Sequence, residues 1–182
     1  SLEQFVDWFD LDHISRSPAQ FNNEKLAWLN QQYLKVRDDR LLAEEVAPRL
    51  SSRGIGTAAG PSLEKVVALY KDRVVTLNEL ADAIKPFYVE VYPGAELLTQ
   101  HLTDAARVAL GELRSRLETT VWEKAQLNQA LKDVVAARGL KLPQLAIPLR
   151  VVLTGQPQTP SIDAVLEAFG RDVVLARLSR HA

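Results

Sequence analysis

Apolar residues recur along most of this chain at spacings of three and four, the period of a helix with one buried face. The clearest case is Asp104–Glu118, where Ala106, Ala109, Leu110, Leu113 and Leu117 share a side and Thr103 stands as cap. Val121–Arg138 repeats the pattern through Leu127, Leu131, Val134 and Val135, behind a Thr120-x-x-Glu123 capping box and ahead of Gly139. Ile162, Val165, Leu166 and Phe169 fall at i, i+3, i+4 and i+7 between Ser161, a cap, and Gly170, a stop. Arg171–Arg180 adds a last turn or two. Pro148 suits a first helical turn, which predicts a short helix from Pro148 to Thr154 closed by Gly155.

The front reads the same way. Glu3–Phe9 is a short helix, Ser17-Pro18-Ala19-Gln20 a capped turn, and Glu24–Lys35 a helix with Leu26, Leu29, Asn30 and Tyr33 near one stripe and Trp28 beside it. Asp38–Leu50 tapers at Pro48; a helix from Pro61 or Ser62 runs to Lys71; the capping box Thr76-Leu77-Asn78-Glu79 opens another to Ala83; Gly94–His101 is short. Phe87–Pro93 is the one strand-like run, and it reads as an extended linker between two helical halves. Short connections between helices give an all-α fold of two small packed bundles.

Composition narrows the function classes. The 182 residues hold 47% hydrophobic and 25% charged side chains with a net charge of −1, an ordinary soluble balance with no global basic signal for nucleic acid. The charge is uneven: residues 1–90 carry −3 and residues 91–182 carry +2, and 14 of the 22 basic residues are Arg. Genomic composition accounts for Arg richness as readily as recognition does, although guanidinium suits planar bidentate contacts better than ammonium. With no cysteine there is no disulfide or thiolate site. No apolar run approaches the roughly 20 residues of a membrane span, so the cytoplasm is the default. A start at Ser1-Leu2-Glu3, with no methionine anywhere, reads as a piece cut from a longer protein.

Three blocks carry a resemblance. The first is Pro148-Leu149-Arg150-x-x-Leu153-Thr154-Gly155, a Pro-Ser turn, then Val165-Leu166, Gly170 and Arg177-Leu178. The second is Phe21, Lys25-Leu26-Ala27-Trp28-Leu29-Asn30 and Tyr33-Leu34; the third is Arg73-Val-Val-Thr76-Leu77-x-Glu79-Leu80. Together they cover nearly the whole chain, and their order and spacing resemble the C-terminal part of bacterial glutamyl-tRNA synthetase. The resemblance implies the end of a stem-contact helical segment (1–50) and two anticodon-binding helical subdomains (51–92 and 93–182) forming an α-helical cage. It implies tRNA(Glu) as partner, a monomer, no membrane or DNA role, and ATP with Mg in the rest of the parent enzyme. Arg73 and Arg150 match its anticodon-reading positions. Lys25, Asn30, Thr76, Thr154 and Arg177 match positions that touch the tRNA backbone or support those that do. Leu142-Pro143-Gln144 departs from the family, which often has a small or basic residue there near Gly-Lys.

Each reading has a plainer rival. Arg150 in a first helical turn would oppose the macrodipole, which an ion pair with a neighbouring acid would explain. Arg73 in a link between helices is well placed for a ligand, or is a solvated charge. Asn30 either bridges segments or meets RNA. The glycine loop Ser51–Gly60 lacks the Gly-x-Gly-x-x-Gly fingerprint and a Gly-Lys-Ser/Thr ending, so it is no phosphate loop. His13, His101 and His181 are scattered, and Asp38-Asp39 and Glu44-Glu45 read as a solvated face. The class I signatures His-x-Gly-His and Lys-Met-Ser-Lys-Ser are absent, so no catalytic residue, cofactor site or metal site is expected in this chain. The rival function is a helical protein–protein adaptor without RNA binding.

Overall fold

The computed structural model describes residues 1–13 and 20–181, so the expected turn at 17–20 lies largely outside the described residues. Among these residues there are eleven α-helices and no strand: α1 Leu2–Trp8, α2 Asn23–Val36, α3 Asp39–Ser51, α4 Leu63–Tyr70, α5 Leu77–Ile84, α6 Ala95–His101, α7 Asp104–Leu117, α8 Lys124–Ala137, α9 Leu142–Thr154, α10 Ile162–Phe169 and α11 Arg171–Leu178. Most ends are set by local chemistry. The side chains of Asn22, Asp38, Thr76 and Thr103 each accept a first-turn amide, and Gly139, Gly155 and Gly170 take positive φ just past α8, α9 and α10. Residues 88–93 are irregular, as expected of a linker.

Helices α3, α4 and α5 pack on one another, and α7–α11 form a second group on which α6 rests. One continuous core runs through both, from Leu42, Val46 and Leu50 to Leu110, Leu113, Leu149 and Leu166. The joint is aromatic. Tyr70 of α4 meets Phe87 edge-on at 5.7 Å, and Phe87 stacks at 4.1 Å on Phe169 of α10. Arg177 of α11 lies 4.7 Å from the far side of that stack, over the Phe169 ring. Its guanidinium, buried to 7% exposure, donates to the carbonyls of Leu153, Pro86 (2.8 Å) and Val89 (2.9 Å). Helix α9 is thereby locked to the linker.

Two expectations change. Helix α9 starts at Leu142, not Pro148, because Pro143 occupies its first turn and Pro148 is carried inside the helix. Helix α8 starts at Lys124, three residues later than predicted. Thr120 donates its hydroxyl to the Arg116 carbonyl, and the amide of Lys124 is capped by Glu167 of α10 at 2.9 Å. The stripe on α2 faces outward: Leu34 is buried, whereas Leu26, Trp28, Leu29 and Tyr33 are exposed.

Candidate nucleic-acid interface

The short 3₁₀ turn Lys71–Arg73 follows α4 directly, and neighbours hold it on both flanks. Before Arg73, Lys71 pairs with Asp39 at 2.6 Å and donates to the Arg37 carbonyl at 2.9 Å. After it, the Asn30 amide donates to the Val75 carbonyl, and the Val75 amide is capped by Glu79 at 2.8 Å. Thr76 completes that cap by accepting from the Glu79 amide at 3.1 Å. The backbone around Arg73 is therefore fixed while its side chain is exposed, with no ion pair among the described residues.

Arg150 arrives from α9. The earlier start of that helix moves Arg150 from its first turn to its third, so its charge no longer opposes the N-terminal end of the dipole. No carboxylate among the described residues pairs with it, so the ion pair offered as the plain explanation is not formed. Instead its Nε donates to Thr159 Oγ1 at 3.0 Å, and the Thr159 hydroxyl donates in turn to the Pro160 carbonyl at 2.9 Å. Burial lowers the proton affinity of Arg150, and the positive charge of Arg73 lowers it further. Two guanidinium groups therefore stand near each other without a counter-ion.

They line one groove of 560 Å³, which also includes Asn128 of α8, Gln158 and Thr159 of the loop after α9, and Asp163 of α10. The phenol of Tyr70 lies close by: burial pushes its pKa up, and Arg73 and Arg150 both pull it back. That hydroxyl is buried and has no hydrogen-bond partner among the described residues. A groove with donor-only cations on one wall and amide and carboxylate groups on another can grip a planar polar group by its edge.

A family model described as an anticodon binding domain matches residues 41–182, which include every residue of the groove. The chain belongs to the anticodon-binding domain family. A glutamate–tRNA ligase of Azoarcus sp. (strain BH72) is 63% identical over 181 residues, covering 100% of this chain and 39% of that protein. The glutamate–tRNA ligase of Dechloromonas aromatica (strain RCB) is 55% identical over the same share of each. The chain thus spans 39% of the length of these curated relatives. A solved structure of a glutamate tRNA ligase from Elizabethkingia meningosepticum CCUG26117, in complex with its amino acid, has the same fold over 100% of this chain and 36% of its own, with a TM-score of 0.88 at 20% identity. None of these matches supports the adaptor reading. Among the described residues no helix is long and apolar enough to cross a membrane.

The remaining sequence candidates fall into different places, Lys25 and Asn30 ahead of the matched anticodon-binding domain and the others within it. Thr154 is buried, donating to the Arg150 carbonyl at 2.8 Å and accepting from the Gln156 amide at 3.3 Å, so it shapes the turn after α9. Arg177 has its donors committed to carbonyls, and Asn30 and Thr76 brace the Arg73 turn; these are supporting positions. Lys25 is exposed in the first turn of α2. Sequence reading overlooked Tyr70, Asn128, Thr159 and Asp163. Asn128 carried a signal, a polar residue directly beside the buried Leu127 in a helix with a strict apolar face.

Proposed function

We propose that this chain is the C-terminal anticodon-binding part of a glutamate–tRNA ligase, and that it holds tRNA(Glu) while the remainder of the protein performs ATP-dependent glutamylation. ATP, Mg and glutamate belong to that remainder. The protein works in the cytoplasm as a monomer, with residues 51–92 and 93–182 as the two subdomains that grip the anticodon loop. One observation carries the reading: Arg73 and Arg150, far apart in sequence, line the same groove, and neither is in an ion pair among the described residues.

Unstacked anticodon bases present their Watson–Crick edges, and sequence-specific RNA recognition occurs there. Guanidinium offers donors in a fixed fork and no acceptor. The third base of the tRNA(Glu) anticodon, cytosine, presents O2 and N3 as adjacent acceptors, which Arg73 can satisfy together. Guanine, the third base for tRNA(Gln), presents N1–H and N2–H donors, so donors would meet donors. Arg73→Gln supplies an acceptor as well as donors and is expected to relax this choice. The test is the ratio of aminoacylation efficiencies of the parent ligase on two tRNA(Glu) transcripts differing only at that base. The wild type should prefer cytosine, and Arg73→Gln should shrink the ratio. Equal losses on both transcripts would reduce Arg73 to a backbone contact. Arg150→Ala should leave the circular dichroism unchanged and weaken tRNA(Glu) by roughly 10- to 150-fold, the worth of one charge-assisted contact. A variant that melts would make Arg150 structural.

A further inference from the structure

Asn128 and Asp163, hydrogen-bonded to each other, line the groove that Arg73 and Arg150 also line. Asp163 is 7% exposed, yet it is held as a carboxylate. Burial alone would raise its pKa, but hydrogen bonds from Ser161, the Ala164 amide and Asn128 outweigh it and bring the group below the usual carboxylate range. Its Oδ1 accepts from the Ala164 amide at 2.9 Å and its Oδ2 from Asn128 Nδ2 at 3.1 Å. An ionised carboxylate can only accept. The NH₂ end of Asn128 must therefore be the end that meets Asp163, and the orientation of the amide is fixed by charge. The other end, Oδ1, has no donor partner among the described residues, and Asn128 lines the groove.

The consequence is a wall with an acceptor in it. Arg73 and Arg150 supply donors, and the Thr159 hydroxyl is spent between Arg150 and the Pro160 carbonyl. Asn128 Oδ1 is a neutral acceptor in the same groove, uncommitted among the described residues and held in place by Asp163, and it suits a ligand carrying an N–H beside its own acceptors. Cytosine has such an edge: O2 and N3 accept, and the neighbouring exocyclic amino group donates.

We propose that Asn128 reads this base, its Oδ1 accepting from the exocyclic amino group of the cytosine whose O2 and N3 face Arg73, and that Asp163 is the positioning residue that holds the amide in that sense. This rests on the proposed function, with Arg73 at the third anticodon base. It adds a discrimination that guanidinium cannot make alone, because Arg73 senses the two acceptors and is indifferent to the amino group.

The experiment uses three synthetic anticodon stem-loops of tRNA(Glu), with cytosine, pyrimidin-2-one or guanine at the third base. Pyrimidin-2-one keeps O2 and N3 and lacks the amino group. Binding of the 182-residue chain is measured by fluorescence titration. The wild type should bind cytosine roughly 2- to 12-fold more tightly than pyrimidin-2-one, the range for one neutral hydrogen bond. Asn128→Ala should bind both alike, at the wild-type level for pyrimidin-2-one. Asp163→Asn should bring the same ratio toward unity with its helical circular dichroism intact, which loss of a merely structural residue would not do. Equal binding of the two loops by the wild type, a reading that needs no variant, would overturn the proposal. So would Asn128→Ala losing the same factor on both, which would place Asn128 on ribose or backbone. The guanine loop reports separately: cytosine and guanine bound alike would sink the Arg73 reading, and no binding of any loop would sink the anticodon reading itself.

Discussion

Arg177→Met removes the guanidinium that joins α11, the end of α9 and the linker, while keeping most of the aliphatic bulk. Three carbonyls lose a donor: Leu153, Pro86 and Val89. The Leu153 carbonyl is among the last four of α9, which have no partner within the helix, and a positive charge there also complements the helix dipole. A buried acceptor left unpaired costs about 1–3 kcal/mol. Some relief comes from water entering the space, and the three losses are coupled, so a total of about 3–5 kcal/mol is expected rather than the sum of maxima. The contact with Phe169 at 4.7 Å is lost as well, loosening the Phe87–Phe169 stack that joins the two halves. With a urea slope of about 2 kcal/mol per M, within the usual range, the unfolding midpoint should fall by about 1.5–2.5 M. Arg177→Lys should recover only part of this, since one ammonium cannot reach three carbonyls in a fixed fork. A loss below about 1 kcal/mol would refute the structural role. An unchanged midpoint with weakened tRNA binding would instead return Arg177 to the RNA surface.

Three further outcomes are expected. Gly155→Ala should lower the melting temperature, because φ is +71° there and a Cβ would lie 2.8 Å from Val91 Cγ1; the cost is about 1–2 kcal/mol or more, and an unchanged thermal melt would contradict it. Asn30→Ala should weaken tRNA binding through the Arg73 turn, so its effect should shrink when Arg73→Gln is already present; strict additivity in that double-mutant cycle would sever the link. His181 is held below its ordinary pKa by burial first and then by Arg107 and Arg180. The unfolded chain therefore takes up this proton more readily, and stability that is full above about pH 6.5 should decline as pH falls from there toward the folded-state pKa, then level off. Urea midpoints that keep the same slope over that window in His181→Gln would assign the decline to another group.

What could be read in the sequence was whatever depends on near neighbours. The inner face of α7 is legible because five apolar positions at helical spacing leave no other side to bury, and all five are buried. The stops at Gly139, Gly155 and Gly170 are legible because positive φ is cheap only without a Cβ. The start of α8 was not legible. Thr120-x-x-Glu123 has the letters of a capping box, but the cap that forms is Glu167, brought in by the packing of α10. The stripe on α2 is legible from its period, and that it is exposed is not, because period reports amphipathicity without saying what covers the face. For the groove, Arg73 and Arg150 could be named as candidates, but nothing in their spacing says that they share it. That follows from the core, which packs α4 against α10 and α8 against both α9 and α10, and the same packing brings Asn128 and Asp163 beside them.

A net charge of −1 gives no hint of an RNA surface, and the placement of charge explains why none is needed. Elsewhere many arginines pair with acids of the protein, Arg37 with Glu45, Arg53 with Asp82, Arg116 and Arg138 with Glu112, and Arg180 with Glu90, while Arg177 is held by carbonyls. Arg73 and Arg150 stand near each other with no ion pair among the described residues, beside a Tyr70 hydroxyl that has no partner among them. Screening at physiological salt acts over about 8 Å, so distant acids contribute little at the groove and the local pair dominates. Two like charges near each other destabilise the empty fold, and acceptors delivered by a ligand relieve that repulsion while satisfying both forks. A base edge does this without bringing a full negative charge into the groove, where the Asp163 carboxylate would oppose one. On the proposed function the groove suits a neutral acceptor-rich edge, and phosphate contacts would fall to exposed cations outside it.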